Sequence, residues 1–177
     1  MAGKARNQKT VIISTGDASL GDHYCSILDK LYPVTVFASL EETLAHARDA
    51  RPALLVLDPR LVEQDLNDSI ANILSNNAGI RLIVIEGDAD GDIDQHALFK
   101  TGVHGFCKQD ISAALLCKAV QLVLEGEYWI QRKLITQVIS ELAKDASTIT
   151  SRPDGPEDSL ISTLTPRELQ VARMVHM

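Results

Sequence analysis

Short apolar runs alternate with amphipathic stretches along the first two thirds of the chain. The clearest run is Ala53–Leu57, which is followed directly by Asp58 and Pro59. A short apolar run bounded by turn signals is typical of a strand buried on both faces, and such strands occur in parallel sheets covered by helices. Four more runs predict strands: Val11–Ile13, Val34–Phe37, Ile80–Ile85 and Val103–Cys107.

Apolar residues at helical spacing separate the predicted strands. Ser39 and Glu42 form a capping box that predicts a helix through Ala50. The same kind of spacing predicts four other helices: around Tyr24–Leu31, Leu61–Ser75, Ile93–Thr101 and Ser112–Leu124. Five strand-then-helix units in succession predict the α/β class, with a five-stranded, parallel, doubly wound sheet that ends near Gly126.

An extra helix is predicted after this sheet, from Trp129 to about Lys144. Its apolar stripe consists of residues at intervals of four: Ile130, Leu134, Val138 and Leu142. A stripe of this width must be covered, either by the preceding domain or by a second copy of the chain in a dimer. The pattern alone does not choose between these two partners.

The end of the chain predicts a linker and then the start of a second domain. Residues 146–163 are rich in Ser, Thr, Pro and Gly, which is typical of a flexible linker. Thr165, Pro166 and Glu168 then give the signals of a helix start. One amphipathic helix cannot bury its apolar face alone, so we expect residues 164–177 to be the cut beginning of an all-α domain. The predicted divisions are 1–126, 127–145, 146–163 and 164–177.

Composition narrows the possible functions. A net charge of −7 over 177 residues argues against a broad nucleic-acid surface in this part of the protein. Three cysteines without metal-binding spacing, and no signal peptide or membrane-spanning run, lead us to expect a cytoplasmic protein with free thiols. The sequence has no Ser/His or Cys/His catalytic set and no glycine-rich phosphate loop, so we expect neither an enzyme nor a metal site.

These features resemble a known class of regulators. Residues 1–126 resemble the receiver domain of response regulators, and Leu164–Val171 resembles the opening of the LuxR-type helix-turn-helix domain. Together they resemble the NarL/FixJ class of transcription regulators. The resemblance implies a flavodoxin-like receiver fold, a homodimer and DNA binding through the C-terminal domain that the chain only begins. It also implies that Asp58 stands at the position of the phosphorylated aspartate.

The resemblance is weaker at the positions that support phosphorylation. Receivers of this family place a pair of acids after the first strand, where they hold Mg²⁺. The matching positions here are Thr15 and Gly16, although Asp17 follows directly. Neither threonine nor glycine supplies a carboxylate, so the sequence predicts that Mg²⁺ does not bind.

Two further family positions are altered. Glu86 stands where the family has a threonine or serine, and its charge would repel a phosphoryl group. Gln109 stands where the family has a lysine, with Lys108 adjacent. We therefore expect a degenerate receiver in which Asp58 is a carboxylate hydrogen-bonded by nearby backbone groups. The alternative is a conventional receiver that a histidine kinase phosphorylates on Asp58, with Asp17 and Lys108 serving in a shifted frame.

The segment after the predicted sheet carries a second resemblance. Trp129 and Arg132 match a Trp-[Phe/Leu/Met]-[Thr/Ser]-Arg motif of the VpsT/CsgD subgroup, in which VpsT-like members bind cyclic di-GMP. Gln131 replaces the hydroxyl residue of that motif. The resemblance implies a sensing and dimerisation module with cyclic di-GMP at Trp129, Gln131 and Arg132. Two alternatives stay open: Trp129 only seats the extra helix, or the domain is a protein-interaction module.

An acidic loop follows the fourth predicted strand. Its acids alternate with other residues, as in a calcium-binding loop: Glu86, Asp88, Asp90, Asp92 and Asp94. The loop lacks the bidentate glutamate at its last position and follows a strand where a calcium loop follows a helix. The pattern therefore favours a solvated acidic loop.

Overall fold

Five parallel strands form one sheet in the computed structural model, which describes residues 9–87 and 93–149. The strands are β1 (Val11–Ser14), β2 (Val34–Phe37), β3 (Leu54–Leu57), β4 (Arg81–Glu86) and β5 (Gly105–Lys108). Their order in the sheet is β2-β1-β3-β4-β5. The sheet lies in the first of two compact units, residues 1–130, and the second unit comprises residues 131–177.

Helices connect the strands and cover both faces of the sheet. Those of the first unit are α1 (Ala18–Leu28), α2 (Leu40–Ala50), α3 (Leu66–Asn76), α4 (Gln95–Thr101) and α5 (Ala113–Glu125). The predicted α/β class with a parallel, doubly wound sheet is confirmed. The described part of the second unit is one helix, α6 (Arg132–Ile149). Residues 150–177, which carry the rest of the predicted linker and the predicted helix-turn-helix opening, lie outside the described residues.

Alternation along the strands divides the core into two layers. Val11 and Ile13 of β1 belong to a buried cluster with Tyr24 of α1 and Val120 of α5, so these helices cover one face. Ile12 is equally buried but points to the other face, where α2, α3 and α4 lie. Strands buried on both faces read as continuous apolar runs, which explains why they were visible in the sequence.

A buried pair of hydroxyl groups ties α2 to the sheet. Thr43 donates a hydrogen bond to the Ser39 carbonyl over 2.8 Å, and its oxygen lies 2.7 Å from the Ser14 hydroxyl. Thr43 and Ala47 are the buried residues of α2. Both side chains are small, so α2 lies close to the strands without a large apolar side chain beneath it.

Two predicted boundaries were wrong. The helix predicted from Leu61 begins at Leu66, because Pro59–Leu61 form a single 3₁₀ turn and the Asp65 carboxylate caps the new helix start. The fifth strand begins and ends later than predicted, and its last residue is Lys108, which lies opposite Glu86 of β4. Lys108 is thus part of the strand, and Gln109 is the first residue after it.

The prediction that the extra helix starts at Trp129 was also wrong. Trp129 forms a parallel bridge with Gly105 on the outer edge of β5. Its N–H donates to the His104 carbonyl over 3.0 Å, and its carbonyl accepts from the Phe106 N–H over 2.9 Å. An edge strand leaves such groups unpaired, and pairing them outweighs helix formation at this position. The helix begins three residues later, at Arg132.

Gly105 allows the close approach in this bridge. A Cβ atom at residue 105 would lie 3.0 Å from the Trp129 Cβ and 3.2 Å from the Trp129 carbonyl oxygen. Both distances are tighter than most Cβ contacts, so the Trp129 segment would have to shift by a few tenths of an ångström, and its carbonyl would strain the hydrogen bond that it accepts. The close approach of the two segments therefore explains the glycine.

We predict that Gly105→Ala loosens the Trp129 segment from β5. The clash should lower the free energy of unfolding by about 1–3 kcal/mol, the usual cost of overpacking. Trp129 is the single tryptophan of the chain, so its emission should shift to longer wavelength as the side chain becomes more exposed. Fluorescence spectra and urea unfolding measure the two effects.

Gly79→Ala is the control for this prediction. Gly79 has φ +89°, so alanine is strained there, but the added Cβ meets no atom within 4 Å. This variant should lose stability and keep the wild-type emission spectrum. An unchanged spectrum in Gly105→Ala as well would contradict the packing argument.

Candidate functional site at the carboxyl edge of the sheet

Asp58 occupies the position at which parallel sheets place functional groups. It follows β3 directly, and its N–H donates to the Ser14 carbonyl over 2.8 Å, which extends the β1–β3 pairing by one residue. The carboxyl ends of β1 and β3 meet here, at the point where the strand order reverses. The residue is only 1% exposed. A carboxylate so deeply buried needs partners for both oxygens.

Arg60 supplies the main partner. The backbone turns at Pro59, so that the Arg60 side chain folds back onto the carboxylate two residues earlier. Its Nε donates to Asp58 Oδ1 over 2.9 Å, and its Nη2 donates to Oδ2 over 2.8 Å. The Arg60 N–H adds a third bond, of 3.1 Å, to Oδ1. This two-pronged pairing is the strongest geometry available to an arginine and a carboxylate.

Thr15 supplies the other partner, from the end of β1. Its buried hydroxyl donates to Asp58 Oδ2 over 2.7 Å and accepts a hydrogen bond from the Asp17 N–H over 3.1 Å. We predicted that nearby backbone groups would hydrogen-bond the Asp58 carboxylate. Among the described residues, the Arg60 N–H is the backbone group that does so. Two side chains, which the sequence analysis did not identify as partners, provide the other bonds.

These partners keep Asp58 ionised. Burial raises the pKa of the carboxyl group, but the hydrogen bonds from Arg60 and Thr15 and the positive charge of Arg60 outweigh burial. The net result is a pKa below the ordinary value of 3.8. Asp58 is therefore an anion at neutral pH, and Arg60 is its counter-ion.

The family's Mg²⁺ does not fit the residues present at this edge. Both oxygens of Asp58 are engaged by the arginine and the threonine. Thr15 and Gly16, at the positions of the family's acid pair, offer no carboxylate. Asp17 does not replace them, because its carboxylate caps the start of α1 by accepting from the Leu20 N–H over 3.1 Å.

The opposite side of the edge carries Glu86 and Lys108, which are paired in register across β4 and β5. The Glu86 carboxylate accepts a hydrogen bond from the Gln95 side chain at the start of α4. Its backbone carbonyl accepts from the Gln109 N–H over 2.9 Å. Lys108 is exposed. Glu86 and Lys108 thus both lie at the ends of their strands, and the Glu86 carboxylate is hydrogen-bonded by the neutral side chain of Gln95.

Two buried groups below the edge stay protonated at neutral pH. The Tyr24 hydroxyl donates to the Lys108 carbonyl over 3.1 Å, and burial raises the pKa of Tyr24 well above its usual range. Burial, and next the charge of Glu86, raise the pKa of Cys107 to about 12. Neither group is a nucleophile in this state, and Tyr24 fixes the end of β5.

The predicted cyclic di-GMP residues fall in different compact units. Trp129, in the first unit, is half-buried and packs against the core. Gln131 and Arg132, in the second unit, are exposed, and Arg132 is the first residue of α6.

The acidic loop lies mostly outside the described residues, which omit 88–92. Asp94, at its end, caps α4 by accepting from the Ala97 N–H over 3.0 Å. In the part of the chain that the structure describes, no three His, Cys, Asp or Glu side chains are grouped to hold a metal ion.

Comparison with known proteins agrees with the parallel α/β fold described above. No family model matches the chain. The response regulator GacA of Pseudomonas protegens is 22% identical over 148 residues, which are 84% of this chain and 64% of GacA. The chain thus spans about two thirds of the length of this relative.

Solved structures extend the comparison to the fold. A CheY-like response regulator receiver domain from Methanospirillum hungatei is 18% identical and aligns with a TM-score of 0.61 over 68% of this chain and 96% of its own. A LuxR family DNA-binding response regulator from Silicibacter pomeroyi is 20% identical, with a TM-score of 0.57 over 71% of this chain and 98% of that chain. The fold is that of a receiver domain.

At the carboxyl edge of this sheet, sequence reasoning missed Arg60. The signal was present in the tripeptide Asp58-Pro59-Arg60, because proline at the turn brings residues 58 and 60 close together. We also find that no described helix combines the length and apolar character needed to span a membrane.

We predict that Arg60→Gln destabilises this domain at neutral pH by about 1–3 kcal/mol, because Asp58 loses its counter-ion while buried. The pKa of Asp58 is lowered in the folded state, so its contribution to stability is present above the ordinary value of 3.8 and is lost as the pH falls through the folded value. The difference between wild type and Arg60→Gln should therefore shrink below about pH 4. Urea unfolding from pH 7 to pH 3 measures it.

A double-mutant cycle provides the control. In an Asp58→Asn background, Arg60→Gln should cost little, and its cost should not depend on pH. The coupling energy at pH 7 should be at least about 1 kcal/mol. Equal costs in both backgrounds would show that Arg60 stabilises the fold by packing alone.

Proposed function

We propose that this chain is the regulatory part of a LuxR-type transcription regulator, and that its receiver domain works without phosphorylation of Asp58. The observation that carries the proposal is the ion pair of Arg60 with Asp58. The receiver fold and the Leu164–Val171 motif support a transcription regulator. DNA binding is proposed for the C-terminal domain that this motif opens, on the model of LuxR-type helix-turn-helix proteins.

The chemistry of phosphoryl transfer explains why the ion pair matters. A carboxylate oxygen must attack phosphorus while a cation neutralises the incoming oxygens. Here Arg60 neutralises the acceptor itself by donating to both of its oxygens, and Thr15 donates a further hydrogen bond to Oδ2. Glu86 adds a negative charge at the same edge. An attacking oxygen would have to break two charge-assisted bonds before reaching a donor.

We expect this arrangement to hold the carboxylate of Asp58 in one state. The guanidinium group of Arg60 places a positive charge beside this carboxylate, and it is covalently attached to the chain. Input must then come from a ligand or a protein partner. The alternative is a conventional receiver that a histidine kinase phosphorylates on Asp58, which the receiver fold equally allows.

We predict that beryllofluoride with Mg²⁺, an analogue of the phosphoryl group, does not stabilise the wild-type chain. A receiver that bound the complex at about 100 times its Kd would gain about 2.7 kcal/mol of unfolding free energy. Thermal unfolding with and without the complex is the measurement. A clear increase in Tm that disappears in Asp58→Asn would establish conventional phosphorylation and overturn the proposal.

A variant with an acid restored at the end of β1 tests whether Thr15 and Arg60 are what excludes Mg²⁺. The double variant Thr15→Asp/Arg60→Ala restores an acid at the end of β1 and frees the Asp58 oxygens. Mg²⁺ alone should stabilise this variant and leave the wild type unchanged. A double variant that is folded and unresponsive to Mg²⁺ would show that Arg60 and Thr15 are not what excludes the metal.

A second candidate function is recognition of cyclic di-GMP by Trp129, Gln131 and Arg132. The observation that favours it is the match of Trp129 and Arg132 to the motif of the cyclic di-GMP-binding subgroup. A guanidinium group can bind the O6 and N7 atoms of guanine in the plane of the base. Since the ligand is symmetric, two protomers could each offer one arginine, which would link binding to dimerisation.

Calorimetric titration of cyclic di-GMP tests this candidate. The expected result is binding with micromolar or lower Kd, at least tenfold weaker in Arg132→Ala. Lys133→Ala, which removes a neighbouring exposed cation, should bind like the wild type. The absence of binding would leave Trp129 with its packing role on β5 alone.

A further inference from the structure

A groove runs between α2 and α3, on the face of the sheet opposite α1 and α5. Its wider end, at the carboxyl edge of the sheet, is an open cavity of about 820 Å³. A smaller cavity of about 320 Å³ lies at the other end of the same helices. The lining of the wide part combines polar side chains with five larger aliphatic ones: Leu40, Leu44, Leu61, Val62 and Ile73. All of it belongs to the first compact unit.

The groove is open because of how the two helices are seated. The buried residues of α2 are the small Thr43 and Ala47, and its larger Leu40 and Leu44 are only half-buried and line the groove. The backbone of α3 approaches α4 more closely than it approaches α2. Leu44 and Ile73 line both the wide cavity and a small cavity next to it along the groove.

The charges at the two ends of the groove are opposite. Glu41, Glu63 and Asp68 line the wide end, and no lysine or arginine lies among its lining residues. Arg48 and Arg51 line the narrow end, and no aspartate or glutamate lies among the residues there. All five charged side chains are exposed. The groove thus has aliphatic side chains at its acidic end, and its basic end is mostly polar.

We propose that this groove docks an amphipathic helix of a partner protein, antiparallel to α2 and α3. Helices favour acids in their first turn and bases in their last turn, because of the helix dipole. The basic end of such a helix fits Glu63 and Asp68, and its acidic start fits Arg48. Both α2 and α3 begin at the acidic end of the groove, so the docked helix runs opposite to both.

The dimensions suit a short helix. Each flanking helix has 11 residues, which corresponds to about 16 Å of groove. Three turns of a partner helix would place about three or four apolar residues on the aliphatic lining, as in other helix-in-groove complexes. The docking surface goes beyond the proposed function and does not depend on the state of Asp58.

A designed peptide of about fourteen residues is the probe, long enough to cover the groove. It carries a leucine stripe, glutamates in its first turn and lysines in its last turn. We expect saturable binding that is about tenfold weaker in Glu63→Lys/Asp68→Lys, as the loss of two or three ion pairs implies. A peptide with its lysines changed to glutamate should bind this variant more tightly than it binds the wild type.

Asp22→Lys/Glu127→Lys makes the same change of charge at exposed acids outside the groove and should leave binding unchanged. A nitroxide at the C-terminus of the peptide should broaden the amide signals of Glu63 and Asp68 and spare those of Arg51. The opposite broadening, the absence of binding or equal weakening in both variants would overturn the proposal. Self-association that Glu63→Lys/Asp68→Lys abolishes would also overturn it, because it would assign the groove to a second copy of the chain.

Discussion

The burial of one carboxylate governs the carboxyl edge of the sheet. Asp58 is held out of water by the strands on which it sits, and a buried charge is tolerated only when it is paired and hydrogen-bonded. Arg60 meets this requirement from two residues away. The neighbouring residues agree with this solution: Thr15 donates a hydrogen bond to Asp58, and Asp17 caps the start of α1. All the hydrogen bonds that Asp58 accepts stabilise its ionised form.

The fold could be read from the sequence because its signals are local. Buried parallel strands appear as apolar runs, and helix starts such as Ser39 carry their own capping residues. Asp58 was placed correctly for the same reason, since a strand end follows from the run before it. The partner of Asp58 could not be read in this way, because the position of the Arg60 side chain depends on the burial of a neighbouring charge. Trp129 was misplaced because its backbone pairs with β5, a contact that only the folded sheet creates.

The two faces of the domain differ in how completely they are covered. α1 and α5 share a continuous core with the strands, and large aliphatic side chains fill the space between the layers. On the other face, the small buried residues of α2 bring that helix close to the sheet but leave a gap beside α3. The same sheet thus has a continuous core on one side and an open groove on the other. A partner that docked in the groove would leave that core intact.

The bridge between Trp129 and Gly105 also has a consequence for the behaviour of the protein at high concentration. An unpaired outer strand is a template on which a strand of another molecule can add, and sheets grow into aggregates in this way. Here the N–H of Phe106 and the carbonyl of His104 are already hydrogen-bonded to Trp129 within the chain. The β5 border of the sheet is therefore closed to strand addition at its centre. Gly105, which allows the close approach of Trp129, thus also removes a place where a strand of another molecule could add.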